Sequence, residues 1–349
     1  MQQIARINTQ AADFDFARLT ALGQPAVLTG WVDHWPALQA AKQGPAALAQ
    51  YLRPLDNNTE MDTLLLAADT QGKVGYADTN LQQFNFERRR YPVWAVLKQL
   101  LRQMQQPDAV RIALQSARLD SCLPDFSRQN PMPGLSPDVV GRVWIGNQTV
   151  VPAHFDHSDN LACVLSGSRT FTLFPPEQAA NLYIGPLQSA PTGAPVSLVD
   201  MLNPDFARFP RYAKALEAAQ QATLEPGDVL FLPALWWHHV QARTSFNLLV
   251  NYWWGGSVGS AAKAVSPYNA LLHALLALNG CSSTERKQWQ ALFNYFVFHE
   301  DADNFPHIPP QTPAIQRELN SKDQQAILTW LLQELTKQAA SNQTPQRPE

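Results

Sequence analysis

A chain of 349 residues with 45% hydrophobic and 16% charged side chains can bury a large core, as one β domain with helical additions or as two domains. Its 26 basic against 29 acidic side chains give a net charge of −3, which leaves no electrostatic footprint for nucleic acid. No run approaches the ~18 apolar residues of a membrane span, and Met1 to Asn8 lack the apolar core of a signal peptide, so a cytoplasmic protein with no membrane partner is expected. The three cysteines, Cys122, Cys163 and Cys281, lie far apart and suggest neither a disulfide framework nor a zinc site; buried free thiols are expected.

Residues 1–109 mix helical and extended patterns and read as an α/β extension packing on a core. Ala26 to Gly30 is a short buried strand with Trp35-Pro36 as its turn, Pro45 opens a helix reaching about Leu52, and Thr63 to Ala67 is a second strand. A helix begins at Pro92, because Val93, Leu97, Leu100, Leu101 and Met104 form one apolar stripe. From residue 110 to 256 the pattern changes to short apolar or alternating runs broken by Gly and Pro. Val110–Leu114, Gly141–Gly146, Arg169–Phe174, Asp228–Leu232 and Phe246–Trp253 each suit a strand of a β-sandwich or barrel, with Gly167 and Pro226-Gly227 as turns. Residues 257–338 then read as helices. One starts at Ser266-Pro267 and ends at Gly280, a second carries a Ser282/Glu285 capping box, and a third starts at Ser321 with Gln324 closing its box. Their leucines need a partner surface, either the barrel or a second copy in a homodimer. Residues 339–349 are polar and read as a disordered tail.

One triplet carries the chemistry. His154 and Asp156 stand two residues apart on an extended segment and so project to one face, and His238 follows much later in the same β region. Two imidazoles and one carboxylate can cap one face of a metal ion and leave the other open, which suits Fe(II) that must accept a bidentate co-substrate and then dioxygen. His239, next along the chain, points to the opposite face and reads as a structural hydrogen-bonding residue. His157 reads as a residue of the pocket rim or the surface.

Several ordered motifs resemble the cupin-like JmjC family: His154-Phe155-Asp156-His157-Ser158-Asp159-Asn160, Gly167 through Pro176, Pro226-Gly227-Asp228 through Trp236-Trp237-His238-His239, and Asn251-Tyr252-Trp253. The likeness runs from about Pro25 to Trp254 and is looser in the C-terminal helices. Within the family the chain is similar to bacterial cupin-like proteins and to the asparaginyl hydroxylase of the hypoxia-inducible factor. The resemblance implies a mainly β fold with flanking helices, a double-stranded β-helix core, Fe(II), and 2-oxoglutarate as co-substrate. It assigns His154, Asp156 and His238 as iron ligands and Arg169, in place of a lysine, as the cation for the distal carboxylate of 2-oxoglutarate, through two parallel hydrogen bonds. Asn160 and Asn251 match asparagines near iron and co-substrate, or else serve turn and strand-end hydrogen bonds. Two departures stand out: Ala113 and Val151 occupy the positions of a tyrosine and a threonine that supply hydroxyls to the co-substrate. Trp237 and Trp253 line the pocket or belong to the barrel core.

The expected function is therefore an Fe(II)- and 2-oxoglutarate-dependent oxygenase hydroxylating a protein side chain or a small molecule. A metal-binding or metal-free cupin that binds a ligand without turnover is the alternative, kept open by Ala113 and Val151. A cupin enzyme that does not use 2-oxoglutarate fits the barrel but not the motifs.

Overall fold

The short apolar runs between Val110 and Trp254 resolve, in the computed structural model of the chain, into strands that switch between two sheets. The structure describes residues 1–106, 109–255, 266–298, 305–309, 311–312, 314–315 and 319–341. In chain order the described strands are β1 (Gln2–Gln3), β2 (Ala5–Asn8), β3 (Ala26–Thr29), β4 (Met61–Leu66), β5 (Glu87–Tyr91), β6 (Arg111–Arg118), β7 (Gly141–Gly146), β8 (Val150–His154), β9 (Asp159–Ser166), β10 (Arg169–Phe174), β11 (Gln220–Leu224), β12 (Val229–Leu232), β13 (Trp237–Ala242) and β14 (Asn247–Trp254). The last eight form the jelly roll: β12, β9, β14 and β7 lie side by side in one sheet, and β11, β10, β13 and β8 in the other. Every pairing among them is antiparallel, which is the order of a double-stranded β-helix. The N-terminal strands widen it. β2 and β3 extend the first sheet beyond β12, β6, β4 and β5 extend it beyond β7, and β1 joins β11 of the second.

The larger sheet is buried on both faces, and the period of two sorts its side chains between two cores. Leu161, Cys163, Val229, Phe231, Leu248 and Val250 point outward to a cluster with Trp35, Leu38, Leu48 and Leu97 from the helices Pro36–Lys42, Pro45–Leu52 and Val93–Gln103. Their neighbours Ala162, Val164, Leu230, Leu232 and Leu249 point inward, against Phe171, Leu173 and Val240 of the second sheet. The helix after Pro92 buries Val93, Val96, Leu97 and Leu100 on the expected stripe. Pro36 begins a helix with Trp35 as its cap, so the expected turn there is corrected: proline at a first helical position has no N–H to lose.

Three jelly-roll strands, β9, β11 and β13, were not expected from the sequence, whereas β8 is the extended segment that carries His154. β9 is buried at nearly every position and carries no alternation to recognise. His238 does not end the run from Asp228. That run breaks at the turn before Trp237, where Leu235 adopts φ 66°, and His238 sits second in β13. β5, Glu-Arg-Arg-Arg-Tyr, is exposed throughout and closes the edge of the larger sheet with charge. Cys122 and Cys163 are buried free thiols, as expected, whereas Cys281 is only half-buried.

The chain divides into two compact units, Met1–Ser260 and Ala261–Glu349. The second contains the helices Pro267–Leu278, Ser283–Phe296 and Ser321–Ser341. The Ser282/Glu285 capping box forms in both directions. The third helix is capped one residue earlier than expected, because Asn320 Oδ1, not a Ser321 box, accepts from the N–H of Asp323. That helix runs past residue 339; residues 342–349, expected as a disordered tail, lie outside the described residues.

Candidate metal centre and its cavity

His154 ends β8, and His238 is paired with it directly across the ladder to β13. The two rings lie 4.1 Å apart between centroids. Each Nδ1 faces a main-chain carbonyl two residues back, Pro152 O at 2.9 Å for His154 and Trp236 O at 3.0 Å for His238. A carbonyl only accepts, so Nδ1 carries the proton and Nε2 keeps its lone pair for a metal. Burial first, then the neighbouring His154, pushes His238 down to about 4, so this imidazole is neutral at ordinary pH.

Asp156 lies in the loop after β8, and that loop is stapled to the turn before β13. The N–H of Leu235 donates to Asp156 O at 2.8 Å, and that of Ala234 to Asp159 Oδ1 at 2.9 Å. The carboxylate comes to 3.6 Å from His238 Nε2, and one ligand atom from each of His154, Asp156 and His238 fits within a 4.8 Å span. Two imidazoles and one carboxylate on one side of a cavity suit a divalent transition metal with open positions. Trp253 Nε1 donates to Asp156 Oδ2 at 3.1 Å and fixes the carboxylate's orientation.

The centre opens into a cavity of about 420 Å³. Val151, Ala162, Phe171, Val240 and Leu249 give part of it an apolar wall, and Arg169 at the start of β10 sets a cation beside that wall. Arg169 makes no ion pair among the described residues, and its Nε is buried without a hydrogen-bond partner. Burial alone lowers it to about 10, so it stays charged at neutral pH. A partly buried guanidinium with a buried donor left unpaired is costly unless an anion meets it. Asn160 and Asn251 also line the cavity and are hydrogen-bonded to each other. Trp144 Nε1 donates to Asn251 Oδ1 at 2.7 Å, and Asn251 Nδ2 donates to Asn160 Oδ1 at 3.1 Å. That orientation leaves the Asn160 Nδ2 donors free for a ligand oxygen.

All six residues singled out in the sequence, His154, Asp156, His238, Arg169, Asn160 and Asn251, line this one cavity. His157 lines it too, and so does Trp253, whereas Trp237 packs into a separate core with Phe174 and Ala153. Val151 is a wall residue. Ala113 is not; it packs with Leu64, Leu66 and Val74, and Gln115 and Ser116 from the same strand reach the cavity instead. Gln115 shares Ala113's face by strand alternation, and a β-bulge between Leu114 and Ala117, with Ser116 at φ 47°, re-aims Ser116. The sequence reading also missed Asp62, Arg88 and the Thr192-Gly193-Ala194 loop, which line the cavity from β4, β5 and a long connection. Asp62 and Arg88 form a 2.8 Å ion pair with side chains 40% and 50% exposed, so this end meets solvent. His239 lies on the opposite face, as expected, in a second cavity of about 360 Å³, but its imidazole has no hydrogen-bond partner among the described residues.

Against known proteins, the chain matches the cupin-like domain family over residues 11–259. It is 31% identical over 259 residues to the bifunctional peptidase and (3S)-lysyl hydroxylase JMJD7 of Homo sapiens, which covers 66% of this chain and 77% of the relative. It is 24% identical over 232 residues to lysine-specific demethylase 8 of Xenopus tropicalis, covering 66% of the chain and 48% of the relative. A shorter match, 36% over 119 residues, is to the HSPB1-associated protein 1 homolog of Danio rerio, covering 32% and 24%. The chain thus spans about three quarters of the first relative and half or less of the other two.

Proposed function

The chain belongs to the cupin-like JmjC family, and from that premise we propose that it is an Fe(II)- and 2-oxoglutarate-dependent hydroxylase of a side chain on a protein. The observation that carries this reading is Arg169, partly buried with an Nε that has no hydrogen-bond partner among the described residues, in the same cavity as the His154, Asp156 and His238 donor set. A dicarboxylate that reaches from a metal to this guanidinium uses both features at once.

In this reading His154 Nε2, His238 Nε2 and the Asp156 carboxylate hold Fe(II). Iron bound there supplies the site at which dioxygen and 2-oxoglutarate react, giving succinate and carbon dioxide and placing one oxygen atom in a C–H bond. The protein's own work is positioning and exclusion. Arg169 neutralises the far carboxylate, and the free Asn160 Nδ2 donates to an acceptor oxygen near it. Val151, Ala162, Phe171, Val240 and Leu249 exclude water, which strengthens both contacts. The solvent end, with Asp62, Arg88, Gln115 and Ser116, receives the side chain to be hydroxylated. The lysyl hydroxylase among the relatives favours a side chain bearing an amine.

Val151, an apolar wall in place of a hydroxyl, favours a second reading, a metal-binding cupin that binds a ligand without 2-oxoglutarate turnover. Anaerobic titration of the Fe(II)-loaded protein with 2-oxoglutarate separates the two. A saturable visible charge-transfer band supports the oxygenase, and iron bound without any band gives the second reading its place.

A further inference from the structure

Between the cavity wall and the metal carboxylate runs a chain of contacts that no residue of the donor set explains. At one end is Ser116, held at φ 47° in the β6 bulge, a conformation that costs a residue with a Cβ on the order of 1–2 kcal/mol. Such a conformation persists only where its surroundings over-determine it. Here the surroundings are Arg142 of β7, whose Nη1 donates to Ser116 O at 3.0 Å and to Ser116 Oγ at 3.2 Å. The same guanidinium lies over the Trp253 ring, 5.2 Å from its centroid. The edge of Trp144 meets that ring at 89°, with centroids 6.2 Å apart. Trp253 Nε1 then donates to Asp156 Oδ2.

Arg142 has no carboxylate partner among the described residues, and its burial, followed by repulsion from Arg118, holds it below the usual arginine range. A half-buried cation that gives its donors to a strained turn and its face to an indole has those two contacts as its main compensation. The indole in turn has one polar atom, and that atom is on the carboxylate of the candidate metal site.

We propose that Arg142 and Trp253 are positioning residues, a relay that fixes the Asp156 carboxylate for the metal and locks it to the Gln115–Ser116 wall of the cavity. Trp253 acts on Asp156 directly and Arg142 acts through Trp253. The relay rests on the reading of His154, Asp156 and His238 as metal ligands, and on nothing about the co-substrate.

The test is a double-mutant cycle read by Co(II) affinity and by the visible ligand-field spectrum of the cobalt protein, in full-length chain without oxygen or 2-oxoglutarate. Trp253→Phe keeps a ring beneath Arg142 and removes only the N–H. It is expected to weaken Co(II) by about 10-fold, the low end of what loss of an outer-shell partner costs, and to shift the spectrum. Arg142→Met keeps an apolar stem over the ring and is expected to weaken Co(II) by roughly 3-fold. In the Trp253→Phe background it is expected to add nothing, because its effect passes through the missing N–H. Affinity within twofold of the parent for Trp253→Phe, or additive effects in the double variant, overturns the relay. Arg142→Met still decides through its spectrum should Trp253→Phe not fold: a spectrum identical to the parent's overturns the proposal. A parent that binds cobalt and 2-oxoglutarate while the variants are unchanged sinks the relay and leaves the oxygenase standing. Weakened cobalt in the variants without a co-substrate band in the parent does the reverse, and a parent that binds no cobalt removes both.

Discussion

His154 and His238 are a directly opposed pair on the β8–β13 ladder, and each is tied through Nδ1 to the carbonyl two residues before it. Their geometry is set by backbone pairing and not by a flexible loop. Replacing either with alanine, or Asp156 with alanine, is therefore expected to abolish tight Fe(II) binding while leaving the far-ultraviolet circular dichroism unchanged. Iron content after desalting checks this. A His154→Ala or Asp156→Ala protein that retains iron as tightly as the parent would mean the site is elsewhere.

Arg169 is expected to be bad for stability and good for binding. Its folded value of about 10 lies below that of a free arginine, so the unfolded chain holds the proton more tightly. The cost of burying the charge is thus full below pH 10 and is relieved only above it. Arg169→Met, which fills the same space, is expected to stabilise the metal-free protein at pH 7 by on the order of 1–3 kcal/mol in urea unfolding. The same variant is expected to lose about 100-fold or more in 2-oxoglutarate affinity, since two charge-assisted hydrogen bonds disappear, while Fe(II) binding stays. A variant that is less stable than the parent, with co-substrate affinity intact, would assign the guanidinium a structural role.

The turn that launches β10, and so places Arg169, depends on Gly167. Its φ of +76° is left-handed, and a Cβ there would run into Thr244 Oγ1, Asn247 Oδ1 and Phe246 O, three atoms already joined by hydrogen bonds. Gly167→Ala is expected to cost more than about 2 kcal/mol, combining backbone strain with displacement of a satisfied polar cluster. A midpoint of thermal unfolding within a degree of the parent would show that the turn can shift without penalty.

In the second unit the helices Pro267–Leu278 and Ser283–Phe296 bury none of their residues, and Leu271, Leu275, Leu276, Trp289 and Leu292 stand exposed. An apolar surface of this kind on a helix pair calls for a partner, and we propose a second copy of the chain. Light scattering is expected to give twice the chain mass at micromolar concentration. A monomeric mass there, or a dimer untouched by Leu276→Glu together with Leu292→Glu, removes the proposal.

How much of this was legible beforehand depended on whether the signal was local. The order of the histidines and the aspartate, Arg169, Asn160, the turn at Gly167 and the Ser282/Glu285 box are each carried by a few neighbouring residues, and the sequence alone determined them. The strand β9 was not readable, because both of its faces are buried and a period of two leaves no polar side to see. Asp62, Arg88, Gln115, Ser116 and Arg142 were invisible for a different reason. They reach the cavity or its supports from four strands, β4, β5, β6 and β7, and only sheet order brings those strands beside His154 and Trp253. Ser116 came to the cavity wall through one bulge, since an extra residue in a strand reverses which side chains face inward after it. The sequence determined which chemistry was present, because ligand type and spacing are local properties. The tertiary structure decided what surrounds that chemistry, because strand register is fixed by pairing between residues distant in the chain, such as His154 with His238.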